Sequence, residues 1–293
     1  MRGMERETVS TKVIGQCLDE ERALYHLQNA EVFGCIFAGP ADGESALKEC
    51  RQVAVRDCRF SLRYPLWHAQ DFRLEHTTMD SLTRAPLWYA SDGVIADCQI
   101  DGVKCLRECE RITLQHCDIR SPAFGWKCRD ITLNQCELES EYLLFEAENV
   151  TIDQLEMRGK YSFQYIQNMR IDRSQLDTKD AFWHSKNVTV KDSLIKGEYL
   201  GWYSEGLTLI RCKIVGTQPL CYCKNLTLID CTMEETDLSF EYSEVQATVQ
   251  GNILSVKNPL AGSITADEIG EVILENSIMK LDCQIQTRKK PKR

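Results

Sequence analysis

The stretch Ile112-Thr-Leu-Gln-His-Cys-Asp-Ile119 returns as Ile131-Thr-Leu-Asn-Gln-Cys-Glu-Leu138. The first apolar residue of this unit recurs at positions 112, 131, 150, 169, 188, 207 and 226, a constant step of 19. Self-similarity at a short fixed period is typical of a solenoid, in which each unit packs only on its neighbours. The repeat therefore predicts one elongated domain.

Each unit contains a strand pattern followed by bends. Two apolar residues alternate with polar ones, as in Val188-Thr-Val190, which predicts a strand with one buried face. The residue before this strand is of a type that tolerates the left-handed backbone of a sharp turn. These residues are Asn29, Asp71, Asp92, Asp130, Asn149, Asn168, Asn187, Gly206 and Asn225. We expect every coil to turn at this place and stacked Asn side chains to bond along the ladder.

Three short strands per unit without helical periodicity predict an all-β fold, a single-stranded right-handed parallel β-helix. Less regular units begin near Ala30, Val53, Phe72, Gly93, Ala247 and Val272. We therefore expect about twelve coils of ~19 residues. Residues 1–20 are interpreted as an N-terminal cap segment, residues 21–287 as the β-helix, and residues 288–293 as a basic disordered tail.

The amino-acid composition disfavours some classes of binding partner. Lys plus Arg total 35 and Asp plus Glu total 44, so the formal charge is −9. This charge disfavours nucleic acid and anionic membrane as partners. The chain has no apolar run long enough for a membrane helix, and its start lacks the apolar segment of a signal peptide, so we expect a cytoplasmic protein.

Fifteen cysteines is a high number. Most of them recur at one position of the repeat, as do Cys98, Cys117 and Cys136. We therefore interpret them as buried, reduced thiols that behave as small apolar residues. Their spacing does not fit paired zinc ligands, and we expect neither a metal nor a cofactor.

The repeated string of an aromatic residue, Ser or Cys, and Lys-Asn-Val/Leu-Thr-Leu, with Phe240-Glu-Tyr-Ser243 and Ser255-Val-Lys-Asn-Pro259, resembles an uncharacterised bacterial family. The resemblance covers roughly residues 13 to 287 and implies a pectin-lyase-like, single-stranded right-handed β-helix. It implies no established activity and supplies no catalytic residues. The Asn-Thr-Asp, Asp-Asp, Gly-His-Gly and Arg-Ile-Lys strings of polygalacturonases do not occur in this chain.

An aromatic stretch precedes each strand and offers the strongest candidate site. One position of it holds Trp183 and Trp202, and the next holds His184 and Tyr203. Alternation places the His/Tyr position outside. The Trp position stays open between inside and outside, because polar residues such as Arg107 share it and would be costly to bury.

Two functions remain open. The first is binding or modification of an oligo- or polysaccharide along an aromatic face. This face consists of Tyr165, Tyr203, Tyr222, Trp183 and Trp202, with Glu146 and Glu241 at its ends. His184 is the candidate catalytic residue, because it can exchange a proton near neutral pH. The alternative is a non-catalytic scaffold for protein partners that uses the same face. The sequence does not indicate the oligomeric state or whether a reaction occurs.

Overall fold

The structure, a computed structural model, describes residues 10–39 and 43–288. In these ranges the protein is a right-handed parallel β-helix, as the repeat predicted. Backbone hydrogen bonds join each coil to the next, and Ile112 pairs with Ile131, which pairs with Val150. The basic residues after Arg288 lie outside the described ranges, as does the start of the proposed cap segment.

The first face of the β-helix is a ladder of long strands that run parallel to one another. These strands are Thr11–Ile14, Gln28–Phe33, Arg51–Arg56, Gln70–Glu75, Ser91–Ala96, Glu110–Gln115, Arg129–Asn134, Glu148–Asp153, Gln167–Asp172, Lys186–Lys191, Glu205–Ile210, Leu226–Glu234, Glu244–Gln250, Ala261–Ala266 and Asp282–Thr287. Their apolar residues point inward, as in Val188 and Val190, and form the core.

The second face consists of one strand in most coils, usually of two to four residues and of seven in Glu137–Leu143 and Glu156–Ser162. They are Cys17–Leu18, Ile36–Ala38, Arg59–Ser61, Thr78–Met79, Gln99–Asp101, Asp118–Arg120, Glu137–Leu143, Glu156–Ser162, Gln175–Thr178, Leu194–Lys196 and Lys213–Val215. Near the C-terminal end, Asn252–Lys257 and Glu268–Ile273 form a separate two-stranded sheet. The short strand Ala123–Phe124 pairs with Tyr142 and Leu143.

The ladder is longer than the repeat predicted, with about 14 turns instead of twelve. It begins at Thr11, which pairs with Ala30, and therefore before the boundary placed at residue 21. At the other end, Gly262 and Cys283 continue the first face. Val272 does not begin a coil there, because it belongs to the separate sheet and pairs with Val256.

The third stretch of most coils is a run of tight turns, and the expectation of a third strand is wrong there. We call this stretch the turn face. In it, alternate residues adopt the left-handed conformation, as do Tyr64, Leu66 and His68 with φ of 60°, 59° and 56°. The nine Asn, Asp and Gly residues selected for a sharp turn also have positive φ, which confirms the left-handed backbone predicted for them. Asn225 directly precedes a long strand, and the other eight are each the second residue of one. Asn168 donates to Asn149 and Asn187 donates to Asn168, each at 3.2 Å, so the predicted Asn ladder forms.

The recurrent Cys, Ser or Thr after each long strand has a specific structural role. The backbone N–H of Cys58 donates to Thr77 Oγ1 at 3.3 Å, and that of Ser174 donates to Ser193 Oγ at 3.0 Å. Cys35 N donates to Cys58 Sγ in the same way. A small side chain with an acceptor atom thus satisfies a buried N–H of the preceding coil at the bend.

Gly93 replaces the first apolar residue of its unit because the coil below carries a large one. It pairs with Phe72, whose ring occupies the space beside it. A Cβ on Gly93 would lie 2.2 Å from Phe72 Cζ, well inside van der Waals contact. The glycine and the phenylalanine therefore fill one core layer together.

No helix in the described ranges has the length and apolar character needed to cross a membrane.

We expect Gly93→Ala to lower the free energy of unfolding by about 1–3 kcal/mol, the usual cost of overpacking a core. Phe72→Leu in the Gly93→Ala background should recover part of this loss, because it removes the ring atoms that the new methyl group meets. Urea denaturation of the two single variants and the double variant measures the coupling. Strictly additive losses would contradict the shared packing.

We expect thiol titration of the native protein to show one rapidly reacting cysteine, Cys17, and one slower one, Cys283. Cys17 is exposed and Cys283 is half-buried, whereas the other thirteen cysteines are buried. Burial raises the pKa of the Cys50 and Cys221 thiols to about 12, so they hold almost no reactive thiolate near neutral pH. All fifteen should react after unfolding, and several fast native thiols or mapped disulfides would contradict the assignment.

Candidate functional site: the tyrosine and histidine stack

The turn face places one outward side chain of each coil in a continuous line. In this line the backbone N–H of Tyr165 donates to Trp183 O at 2.8 Å, and that of His184 donates to Trp202 O at 3.0 Å. Each outward residue is left-handed, with φ of 56° at Tyr165 and 54° at His184. The backbone ladder therefore fixes the side chains of successive coils directly above one another.

Tyr165, His184, Tyr203 and Tyr222 form what we call the Tyr/His stack. The ring centroids of neighbouring members lie 4.9, 5.0 and 4.9 Å apart, and the ring planes are within 11° of parallel. Tyr165 and Tyr203 are each 46% exposed, which confirms that this position faces outward. Because the rings cover one another's faces, the stack presents mainly ring edges, phenol oxygens and imidazole atoms to solvent.

One end of the Tyr/His stack carries an ordered polar cluster. The hydroxyl of Tyr222 donates to Glu241 Oε2 at 3.3 Å, and Lys257 Nζ lies 2.9 Å from Glu241 Oε1. Burial, followed by the charge of Glu241, raises the pKa of Tyr222 to about 12, so the phenol stays protonated. Glu241 is thus neutralised by Lys257 and accepts from Tyr222.

Glu241 does not occupy the outward line where the repeat placed it. The backbone N–H of Tyr222 donates to Glu241 O, as that of Tyr203 does to Cys221 O, so Glu241 is the counterpart of Cys221. The outward residue of that coil is Tyr242, whose ring lies 6.1 Å from Tyr222. The coil is one residue longer than 19, and the extra residue shifts the alignment.

Glu146 lies at the opposite end, in the outward line beside Tyr165. Its carboxylate is exposed, and Lys127 Nζ lies 3.5 Å from Glu146 Oε2. Both carboxylates selected from the sequence are therefore in ion pairs. Of the residues that the structure describes, no acidic or basic side chain forms a hydrogen bond or ion pair with His184, whose ring lies between Tyr165 and Tyr203.

The Trp position, left open between inside and outside, is half-buried. Trp183 and Trp202 lie parallel with centroids 5.5 Å apart. The residue before Trp183, Phe182, is left-handed and fully buried, and this bend turns the indole toward the surface. Plain alternation does not apply here, because alternate residues of the stretch have positive φ.

The indole N–H groups stabilise the turns of the next coil. Trp183 Nε1 donates to Tyr199 O at 2.6 Å, and Trp202 Nε1 donates to Gln218 O at 2.8 Å. Gln164, which occupies the same position, donates to Asp180 O at 3.0 Å. These acceptor residues are all left-handed. The indole N–H groups of Trp183 and Trp202 and the side-chain amide of Gln164 therefore bind backbone and are not directed at a ligand.

Trp126 is the exception, with a buried Nε1 that has no hydrogen-bond partner. The residue one coil on, Tyr142, belongs to a strand and lacks the left-handed conformation. Its carbonyl accepts from Ser140 Oγ at 2.9 Å. The local strand on the turn face thus removes the acceptor that the other tryptophans use.

A second aromatic group on the same line went unselected in the sequence, although its motif was visible. Leu66-Trp-His-Ala69 has the same pattern as Phe182-Trp-His-Ser185. In the structure His68 stacks on Tyr89 at 4.9 Å, and Trp67 stacks on Trp88 at 5.2 Å. The similarity of the two motifs was the available signal.

Metal binding has no obvious location in the described ranges, where no group of three or more His, Cys, Asp or Glu residues is arranged to hold an ion. Asp180, a turn carboxylate near the stack, has a buried Oδ1 without a hydrogen-bond partner, and burial raises its pKa. Glu198 is paired with Lys179 at 2.8 Å.

Two distant similarities are found among solved structures. The A-module of mannuronan C-5 epimerase AlgE6 from Azotobacter vinelandii is 10% identical, with 97% of this chain and 92% of that chain covered and a TM-score of 0.33. A trypsin-treated variant of QnrB1, a plasmid-mediated fluoroquinolone resistance protein, is 11% identical, with 78% and 92% covered and a TM-score of 0.19. Scores this low indicate nothing about activity.

No curated protein matches the chain. A family model described as "Protein of unknown function (DUF3737)" matches residues 11–286, nearly the whole β-helix. The match agrees with the resemblance seen in the repeated strings, and the chain belongs to this family.

Proposed function

We propose that the protein binds an extended, neutral polysaccharide along the Tyr/His stack without changing it chemically. The observation that carries this proposal is the regular row of exposed ring edges, 4.9–5.0 Å apart, on four consecutive coils. A pyranose unit of an extended chain has about the same length as one coil step, about 4.8 Å. Successive sugar units would therefore meet successive side chains.

Ring edges recognise a sugar differently from ring faces. An exposed aromatic face packs on the apolar face of a sugar, but in the Tyr/His stack the faces are covered by neighbouring rings. The edges instead offer phenol hydroxyls, which donate and accept, and an imidazole, which does both in its neutral form. Recognition would then depend on hydrogen bonds, each contributing about 0.5–1.5 kcal/mol.

Charge favours a neutral ligand. The whole chain carries −9, which repels a polyuronate. At the site itself, Glu146 is paired with Lys127 and Glu241 with Lys257, so both ends of the stack are locally neutral. A neutral chain of hydroxyl-bearing units matches these groups.

The proposal assigns no chemical step to His184. Glycoside cleavage needs a pair of carboxyl groups within about 10 Å, or a base with a neutralising group. Glu146 and Glu241 belong to coils about five steps apart, roughly 24 Å at strand spacing. A catalytic role for His184 stays a prediction, which product analysis of the bound glycan would test.

We expect Tyr203→Phe to weaken binding by about 0.5–1.5 kcal/mol, because it removes one hydroxyl and keeps the stacked ring. Calorimetry with cello-, xylo-, manno- and chito-hexaose measures the effect. Tyr161→Phe is the matched control, since Tyr161 also stacks on a neighbour, Tyr142 at 4.9 Å, but lies off the line. Both variants should unfold at the wild-type temperature.

Two results would count against this proposal. Unchanged affinity in Tyr203→Phe, with loss of affinity in Tyr203→Ala, would show recognition through ring faces. Absence of binding by all four hexaoses would remove the carbohydrate assignment and favour the protein scaffold.

One observation favours a protein contact as a second candidate function, on a surface other than the aromatic face that the sequence indicated for a scaffold. Near the C-terminal end, large apolar side chains are exposed together, with Ile278 at 90% and Leu274 at 56%. Val272, Met279 and Leu254 are exposed in the same coils. Exposed large apolar groups that lie near one another in the chain can mark a protein contact, and self-association is the first case to test.

If the second candidate is right, sedimentation velocity should show a mass that rises with protein concentration. Ile278→Asp should keep the protein monomeric, because it puts a charge into the contact, and should leave the unfolding temperature unchanged, since Ile278 is exposed. A wild-type monomer at all concentrations would exclude self-association at this end.

A further inference from the structure

We propose that the rod carries two binding sites for the same polysaccharide, the second formed by Trp67, His68, Trp88 and Tyr89. This inference rests on the proposed function and extends it. We call these four residues the N-terminal cluster, and Trp183, His184, Trp202 and Tyr203 the C-terminal cluster.

The two clusters have the same internal geometry. The tryptophan pair is parallel in both, with centroids 5.2 Å apart and planes at 6° in the N-terminal cluster, and 5.5 Å and 4° in the C-terminal one. The His and Tyr rings stack at 4.9 Å and 16° in the first and at 5.0 Å and 7° in the second. The outward residues are exposed and left-handed in both.

The supporting contacts are also equivalent. Trp67 Nε1 donates to Ala85 O at 2.6 Å and Trp88 Nε1 donates to Lys104 O at 2.7 Å, as the indoles of the C-terminal cluster donate to the coil above. Each cluster also has one tyrosine packed on a tryptophan, Tyr64 on Trp67 at 5.0 Å in the coil of His68 and Tyr199 on Trp202 at 5.3 Å in the coil of Tyr203. The two clusters therefore share the paired tryptophans, the stacked His and Tyr rings and the indole hydrogen bonds, and differ in which coil carries the packing tyrosine.

Both clusters lie on one line of the rod. The backbone ladder of the turn face continues between them without a break, through bonds such as Glu108 N to Trp126 O at 2.9 Å and Glu146 N to Gln164 O at 3.0 Å. From His68 to His184 the line rises by six coils, roughly 29 Å at the spacing of strands. An extended polysaccharide of at least six units spans that distance.

The stretch between the clusters suits a passing chain that is neutral. Its outward residues are Glu108, Lys127, Glu146 and Tyr165. Arg107 is paired with Glu108 at 3.3 Å, and Lys127 with Glu146, so opposite charges alternate there. Each cluster alone would bind weakly through solvent-exposed hydrogen bonds, whereas one polymer across both gains from the high effective concentration at the second site.

The five tryptophans allow each site to be observed separately by indole N–H signals in nuclear magnetic resonance spectra. Four belong to the clusters, and Trp126 serves as an internal reference. Titration with cello-, xylo-, manno- and chito-triose, too short to span the sites, should shift both pairs, Trp67 with Trp88 and Trp183 with Trp202. Trp126 should stay in place.

Single hydroxyl deletions then separate the sites. Tyr89→Phe should weaken triose binding at Trp67 and Trp88 two- to tenfold and leave the other pair unchanged, and Tyr203→Phe should do the reverse. Binding of the soluble polymer of the same series should fall by about tenfold or more in either variant. Tyr161→Phe should change none of these values.

The outcomes distinguish this inference from the proposed function. Shifts confined to Trp183 and Trp202, with polymer affinity unaffected by Tyr89→Phe, would overturn the second site and leave the first in place. No indole shift with any triose or polymer would overturn both.

Discussion

The parallel backbone ladder is the constraint on which the rest of this structure depends. The backbone N–H and C=O groups of each coil form hydrogen bonds with those of the neighbouring coils. Equivalent residues therefore lie above one another, as Val188 lies between Met169 and Leu207. Rows of like side chains follow directly. Where those side chains are apolar they fill a continuous core, where they are Asn they bond along the ladder, and where they are Tyr or His they stack. Because of this register, the repeat of the sequence becomes rows of side chains with a fixed spacing along the rod.

Much of this was predictable from sequence, and the exceptions have local physical causes. The coils that step by 19 and the left-handed Asn and Asp positions follow from pattern alone, because burial and turn geometry select residue types strongly. The Trp row did not follow, since alternation assumes extended backbone and the turn face has positive φ at alternate residues. Glu241 was misaligned because one extra residue in its coil leaves the apolar pattern intact. Val272 was assigned to the wrong face because the apolar strands of the two sheets have the same sequence pattern.

The spacing of the stacked aromatic rings affects both their exposure to water and the ligands that they can bind. Rings held about 5 Å apart by the coil step stack face to face, and this contact lowers the free-energy cost of exposing them to water. The same contact removes ring faces from any ligand. The hydroxyls and the imidazole remain, so the surface can select for hydrogen-bonding groups at a regular interval but provides little apolar burial. Such a surface favours long ligands, because its contacts are weak singly and numerous together.

The layer shared by Phe72 and Gly93 has a consequence for how the length of the rod can change. Between residues 110 and 210 neighbouring coils are nearly interchangeable, because each presents medium-sized apolar residues above and below. A coil gained or lost there meets the same surroundings as before. Gly93 leaves room for the Phe72 ring, so a unit inserted between them with a larger residue in the place of Gly93 would meet that ring. A change in the number of coils therefore costs less between residues 110 and 210 than at the boundary between Phe72 and Gly93.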